Sequence, residues 1–340
     1  MFEFDVYANI YPDVCEREAN AGSANAGREN EENQRMTTMS QAPSVARATR
    51  KPHKPKLDWA GWKFVGPFMI VFAFVLIAPV VYSIWLSLFK EQLIGGNQFV
   101  GLANYGQALT DPKLWNALGR VSLFLVVQVP IMLVISLAAA LALDSARLYL
   151  SSFFRIAIFL PYAVPAVVAT LMWGFMYGTQ FGLVRNINDW LGTHLAPLSS
   201  NWVLVAVGNI NTWEFIGYNM LLFYAALRVI PVDLYEAAEL DGAGTFRVIR
   251  SIKLPALRPA IVIGVIFSII GSFQLFNEPN ILRSLAPNSI STYFTPNMYA
   301  YNLSFSGQQY NYSATIAIIV GVLTAVIAFI VQLTGSRKEA

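Results

Sequence analysis

Polar side chains interrupt two otherwise apolar runs of this sequence. Asn211, Trp213, Glu214, Tyr218 and Asn219 fall within residues 203–227, and Gln274, Asn277 and Glu278 close residues 259–282. Asn211, Glu214 and Tyr218 are spaced i, i+3 and i+7, one face of a helix. Gln274, Asn277 and Glu278 follow at i, i+3 and i+4, which predicts a second shared face. Amide and ionisable groups are costly inside a membrane span, and they usually face the bundle interior or a water-filled path. A molecule in such a path could offer hydroxyls or an apolar ring face. Amides and carboxylates suit the first, and Trp213, Tyr218 and Phe273 could stack on the second. The same groups also fit interhelical hydrogen bonding, and Asn277 and Glu278 also fit a place at the membrane interface.

A second stretch, EAAELDGAGTFRVIRSIKLP at residues 236–255, is charged and broken by glycine. Pro231 suits the first turn of a helix, where its missing N–H costs nothing. Leu234, Ala237 and Ala238 then form a narrow apolar stripe, with Glu236, Glu239 and Asp241 on the other faces. Gly242 and Gly244 are predicted to end that helix. Thr245 is the expected N-cap of a second short helix, Phe246 to Ile252, which Pro255 and Pro259 are expected to stop. The product is a helix–turn–helix elbow over about residues 229–258. Such an element fits a partner's groove or, as a basic loop, an anionic lipid surface.

Other chemistry is poorly supplied. The chain has one cysteine, Cys15, and two histidines, His53 and His194. An intramolecular disulfide and Zn-type cysteine clusters are excluded. Neither a P-loop pattern nor HExxH nor GxSxG occurs. The chain is read as not being an enzyme by itself, with no metal site. A net charge of +3 gives no reason to expect nucleic acid.

The elements that must position these groups are helices in a bilayer. Of the 340 residues 56% are hydrophobic and 13% charged, against about a quarter charged in ordinary globular domains. Much of the surface must therefore face lipid. Six apolar runs, near residues 64–89, 117–143, 154–178, 203–227, 259–282 and 312–334, are each long enough to span a bilayer as helix. Backbone polar groups cannot be left open in lipid, so the spans are read as helices and the fold class as all-α. Pro161 and Pro165 predict a kink in the third span. Trp59, Trp62 and Trp202 read as interfacial anchors.

Residues 1–56 have no sustained apolar periodicity and read as a disordered cytoplasmic tail, followed by one six-helix membrane domain at 57–340. No signal peptide is evident, and Met36 or Met39 is an alternative start. Placing both termini inside puts 15 Lys and Arg residues in the inner segments near the membrane and 5 in the outer ones. That bias puts the elbow, between the fourth and fifth helices, in the cytoplasm.

Glu236-Ala237-Ala238, Gly242 separated by nine residues from Ile252, and Leu254-Pro255 together resemble the EAA motif (EAA-x3-G-x9-I-x-L-P) of the membrane subunits of bacterial ABC importers. Phe99-Val100-Gly101-Leu102-Ala103-Asn104-Tyr105, Leu160-Pro161-Tyr162 and Ile230-Pro231 are similar to the MalF-like, carbohydrate-uptake branch of the type I importers. The likeness covers about residues 60–334 and departs at Ala286-Pro287-Asn288, where many relatives have Gly-Gly-Pro. It implies a permease subunit in the bacterial cytoplasmic membrane, working with a second permease, two cytoplasmic ATPase subunits and an extracytoplasmic sugar-binding protein. ATP would be bound by the ATPases, and this chain would need no cofactor of its own. Glu236, Ala237, Ala238, Gly242, Ile252, Leu254 and Pro255 would couple it to the ATPases. A stand-alone transporter driven by H⁺ or Na⁺, with Glu214 as proton carrier, is the alternative, and a membrane-bound transferase is a further one.

Overall fold

The computed structural model describes residues 59–92, 96–145 and 149–336. The expected tail, residues 1–56, lies outside them. The chain divides into two compact units, Met1–Phe68 and Met69–Ala340. The first is described only where helix α1, Trp59–Phe72, begins. Among the described residues four helices are long and apolar enough to cross a membrane: Gly61–Ser87, Pro112–Leu143, Thr245–Leu282 and Tyr310–Gly335. Two further helix pairs, bent by 96° and 72°, bring the number to six if each pair is one span.

The first apolar stretch runs from α1 through a π turn, Ala73–Ile77, into α2, Ala78–Ser87. An antiparallel hairpin follows, β1 Phe89–Gln92 and β2 Gly96–Phe99, an addition to the expected all-helical plan. Its register pairs Phe89 with Phe99, whose rings meet edge to face at 5.4 Å. Asn104, on α3 (Ala103–Leu109), holds the hairpin base: its buried amide donates to the carbonyls of Ser87 at 2.8 Å and Phe89 at 2.7 Å. A chain this short in strand gives little periodicity to read, whereas the Asn104 bonds show why the FVGLANY stretch is needed.

Helix α4, Pro112–Leu143, starts where Asp111 caps it, accepting from the Lys113 amide at 2.8 Å, with Pro112 in the first turn. The same carboxylate accepts from the Tyr299 hydroxyl at 2.5 Å and the Tyr312 hydroxyl at 2.8 Å. Burial pushes the Asp111 carboxyl up. The hydrogen bonds from the two tyrosines and the Lys113 amide outweigh that effect and hold it below the usual carboxylate range. One short side chain thereby ties α4 to α13 (Pro296–Phe305) and α14 (Tyr310–Ser336).

The expected third span is two helices, α5 Ser151–Phe159 and α6 Ala166–Met176, around a 3₁₀ turn at Leu160–Ala163. The break lies at Val164, which is extended (ψ 130°) ahead of Pro165, as the residue before a proline prefers. Pro161 sits at the start of the 3₁₀ turn and does not break it. A short helix α7, Leu183–Leu191, precedes α8, Val203–Leu227. Helices α4 and α8 carry much of the buried apolar surface, including Phe124, Met132, Ile210, Met220 and Phe223. Trp62 and Trp202 are 58% and 60% exposed.

Beyond α8 come α9 (Val232–Leu240), α10 (Thr245–Val248), a π turn (Ile249–Lys253), α11 (Leu254–Phe273) and α12 (Asn277–Leu282). Two expectations fail here. Gly244, extended and without a side chain, occupies the N-cap that Thr245 was expected to fill. Pro255 and Pro259 do not stop the second short helix, which runs on through them to the cavity. The π turn widens the helix just ahead of Pro255, with the Leu254 amide donating to the Ile249 carbonyl. That relaxes the clash a proline ring makes with the preceding turn. Pro259 is then carried inside α11.

Candidate functional site

The elbow is built from its ends inward. Pro231 precedes α9 as its N-cap, and Asp233 in the first turn complements the helix dipole. At the other end Gly242 has φ +69°. Its amide donates to the Glu239 carbonyl at 3.0 Å, and the next amide, Ala243, donates to the Ala238 carbonyl at 2.9 Å. This pair of bonds is a Schellman cap, and glycine takes the left-handed position without steric cost. Gly244 makes no such demand.

The motif residues divide by exposure. Glu236, Ala237, Gly242 and Pro255 are exposed, while Ala238, Ile252 and Leu254 are half-buried. Ile252 lines a groove with Ile230, Pro231 and Leu234, between the two arms of the elbow. Leu240 and Phe246, which the sequence did not single out, flank the bend at 90% and 76% exposure. The elbow thus presents a small-residue surface, a carboxylate and two large apolar side chains, all uncovered.

The polar residues of the spans meet elsewhere. A cavity of about 480 Å³ is lined by Asn211, Tyr218 and Asn219 from α8, by Gln274 after α11, and by Asn277 and Glu278 from α12. That volume falls within the range of small-molecule sites, about 300–1,000 Å³. Gln274 does not share a helical face with Asn277 and Glu278, however. Helix α11 ends at Phe273, Gln274 caps it, and α12 begins afresh at Asn277. The cavity brings the three together through a break in the helix.

Trp213 and Phe273 are not cavity walls. Trp213 packs edge to face on Trp173 at 6.0 Å, and Phe273 is buried in the core. The aromatic surface comes from Tyr162 and Tyr218, stacked at 5.3 Å and 24°, with Phe215 edge-on to Tyr162 at 5.9 Å. Tyr162 reaches this place because the 3₁₀ turn folds against α8, where Gly217 admits the Ile158–Phe159 backbone: a Cβ there would lie 2.6 Å from the Phe159 Cα.

Asn211 accepts a hydrogen bond from Gln128 of α4 at 3.1 Å, and the Asn219 amide donates to the Phe215 carbonyl at 3.0 Å. The first bond ties α8 to α4, whereas the second stays within α8; the Asn219 amide reaches α4 only through the Met132 sulfur, at 3.9 Å. Glu214 is 4% exposed and is not among the lining residues, and neither of its carboxyl oxygens has a hydrogen-bond partner among the described residues. The Glu278 carboxyl is its electrostatic neighbour. Among the residues missed, Gln128 carried a legible signal as the single amide in the run 117–143. Tyr162 was marked only as part of the Leu160-Pro161-Tyr162 resemblance, and Phe215, Phe267 and Phe276 carried no signal, because aromatic residues are common throughout such spans.

Comparison with known proteins agrees with this architecture. Residues 131–339 match the model of the binding-protein-dependent transport system inner membrane component family. The chain is 31% identical over 302 residues to the lactose transport system permease protein LacF of Rhizobium radiobacter, covering 87% of this chain and 100% of that one. It is 28% identical over 304 residues to the trehalose transport system permease protein SugA of Mycobacterium tuberculosis, covering 88% and 97%. Among solved structures it resembles a chain of a bacterial ABC transporter involved in import of the acidic polysaccharide alginate, with TM-score 0.73 and 20% identity, covering 82% and 96%. The bent helices, the exposed elbow and these matches agree: the chain belongs to the binding-protein-dependent transport system inner membrane components and is a multi-pass permease subunit of an ABC importer, a transport component rather than an enzyme.

Proposed function

We propose that this subunit forms one wall of a path for a sugar or oligosaccharide in the bacterial cytoplasmic membrane. The elbow would lie on the cytoplasmic side and dock into a separate ATPase. Two ATPases, a second permease and an extracytoplasmic binding protein would complete the importer. One observation carries the reading. The motif's Glu236, Ala237 and Gly242 stand exposed on an elbow shaped by a left-handed glycine, with none of the described residues covering them. Exposed apolar Leu240 and Phe246 beside them suit a protein cleft.

The cargo class rests on the cavity and on the relatives. Stacked tyrosines with nearby amides suit a ring with many hydroxyls, and the relatives LacF and SugA are named for lactose and trehalose transport. A binding protein as partner is supported by a related structure, the alginate transporter in complex with an alginate pentasaccharide-bound periplasmic protein. Membership of a binding-protein-dependent family displaces the reading as an ion-driven transporter with Glu214 as proton carrier.

The test is Gly242→Asp. An L side chain at φ +69° is strained, by about 1–2 kcal/mol, and a new charge enters the docking surface. Sugar uptake is expected to vanish while the protein still inserts into the membrane. Normal uptake with normal ATPase co-purification would overturn the assignment.

A further inference from the structure

One ion pair stands where the elbow joins the bundle. The Lys253 ammonium lies 2.6 Å from the Asp144 carboxylate, with the two side chains only 13% and 10% exposed. By contrast Arg185–Asp189, within α7, is an i, i+4 pair at 53% and 69% exposure, of the kind that contributes little. A buried pair resists separation, because either partner alone would be a desolvated, uncompensated charge.

Its position is more informative than its strength. Asp144 is the C-cap of α4. Lys253 ends the π turn between the elbow and α11. The same ammonium lies 5.5 Å from the centre of the Tyr235 ring, on α9. Both arms of the elbow and the central helix therefore meet at one side chain. In the motif I-x-L-P, Lys253 occupies the unspecified position, so the contact is not one the motif itself demands.

From Lys253, α11 runs 20 residues to Phe273, about 30 Å, and its far part lines the cavity with Phe267, Ser268 and Gln274. The elbow and the cavity wall are thus two ends of one stiff element, held sideways near the elbow end. We propose that the Asp144–Lys253 pair is the fulcrum that converts displacement of the elbow into movement of the cavity wall. With the fulcrum intact, a push on α9 and α10 cannot be absorbed by the two arms sliding past α4. This inference rests on the elbow being the ATPase-docking element, as proposed above.

A test independent of the cargo places a reporter cysteine at the cavity, Gln274→Cys in a Cys15→Ser background. The assembled importer is labelled with N-ethylmaleimide, with and without nucleotide trapped on the ATPases by vanadate. With the pair intact, trapping is expected to change the labelling rate by about fivefold or more, the scale of ordinary intersite coupling. Asp144→Asn or Lys253→Met should still assemble and trap nucleotide but lose most of that change. The exchanged pair Asp144→Lys with Lys253→Asp should regain it. Single variants that keep the full change would overturn the fulcrum. So would single variants that fail to assemble and are rescued by the exchange, since the pair would then act on folding alone. An absence of any nucleotide effect with the pair intact would sink the docking reading and this inference with it.

Discussion

The elbow and the cavity are built on opposite plans. Every element of the elbow lies within about thirty consecutive residues, and among the described residues its outward face, with Glu236, Leu240, Gly242 and Phe246, is exposed. The cavity draws on α4, the 3₁₀ turn, α8, α11 and α12, and its walls are meaningful only when all five are packed. A local device can be written as a spacing of residues. An assembled one is written in contacts, which a linear pattern does not display.

Two glycines sharpen that contrast, and the larger structural effect is expected in the cavity. At Gly217 a Cβ would sit 2.3 Å from the Ile158 carbonyl oxygen, whereas at Gly242 it would meet nothing within 4 Å. Gly217 is needed for packing and Gly242 for its left-handed backbone. Gly217→Leu should force α5 away from α8, and overpacking of this sort costs about 1–3 kcal/mol or more. Little intact protein should survive detergent size-exclusion chromatography after mild heating, unlike Gly242→Asp, which inserts but does not transport. A Gly217→Leu protein as heat-resistant as the parent would remove the distinction.

A smaller effect is expected at Tyr218. Tyr218→Ala takes away one face of the Tyr162–Tyr218 stack, worth about 0.5–1.5 kcal/mol. Uptake of the sugar at limiting concentration should fall several-fold, up to about tenfold, while ATPase co-purification is retained. Loss of co-purification instead would mean that the cavity and the elbow are not separable.

The smallest effect at neutral pH belongs to Asp111, remote from the elbow. Its pKa is depressed in the folded state by the bonds from Tyr299, Tyr312 and the Lys113 amide. The associated stability is therefore present above the unfolded value, about 3.9, and is lost as pH falls through the folded one. Asp111→Asn should melt earlier than the parent at neutral pH, and the gap should close on acidification below about pH 4. A gap that stays constant with pH would show that the carboxylate charge is not what ties α4 to α13 and α14.

The same division explains what could be read from the sequence. Six apolar segments, the elbow and its glycine bend were legible because length, spacing and a left-handed position are local properties. Pro255 and Pro259 misled because a proline is a stop only when the preceding turn stays α-helical, and here that turn widens. Gln274, Asn277 and Glu278 were rightly grouped, but for the wrong reason. Gln274-Leu275-Phe276 contains neither glycine nor proline; the one mark of the break was Pro279, in the first turn of α12, whose ring cannot follow an α turn at Leu275. The aromatic walls were hidden for another reason: Tyr162 meets Tyr218 across more than fifty residues, through a gap that Gly217 leaves.

The π turn at Ile249–Lys253 has a consequence for phase. It holds one residue more than an α turn, and each residue of an α-helix advances the chain by about 100° and 1.5 Å. Everything downstream on α11 is therefore rotated by roughly a quarter of a circle relative to a regular helix leaving the elbow. Phe267, Ser268 and the Gln274 cap face the cavity in that rotated setting. Five residues beside the elbow, some 30 Å away, therefore set which side of α11 a passing molecule would meet.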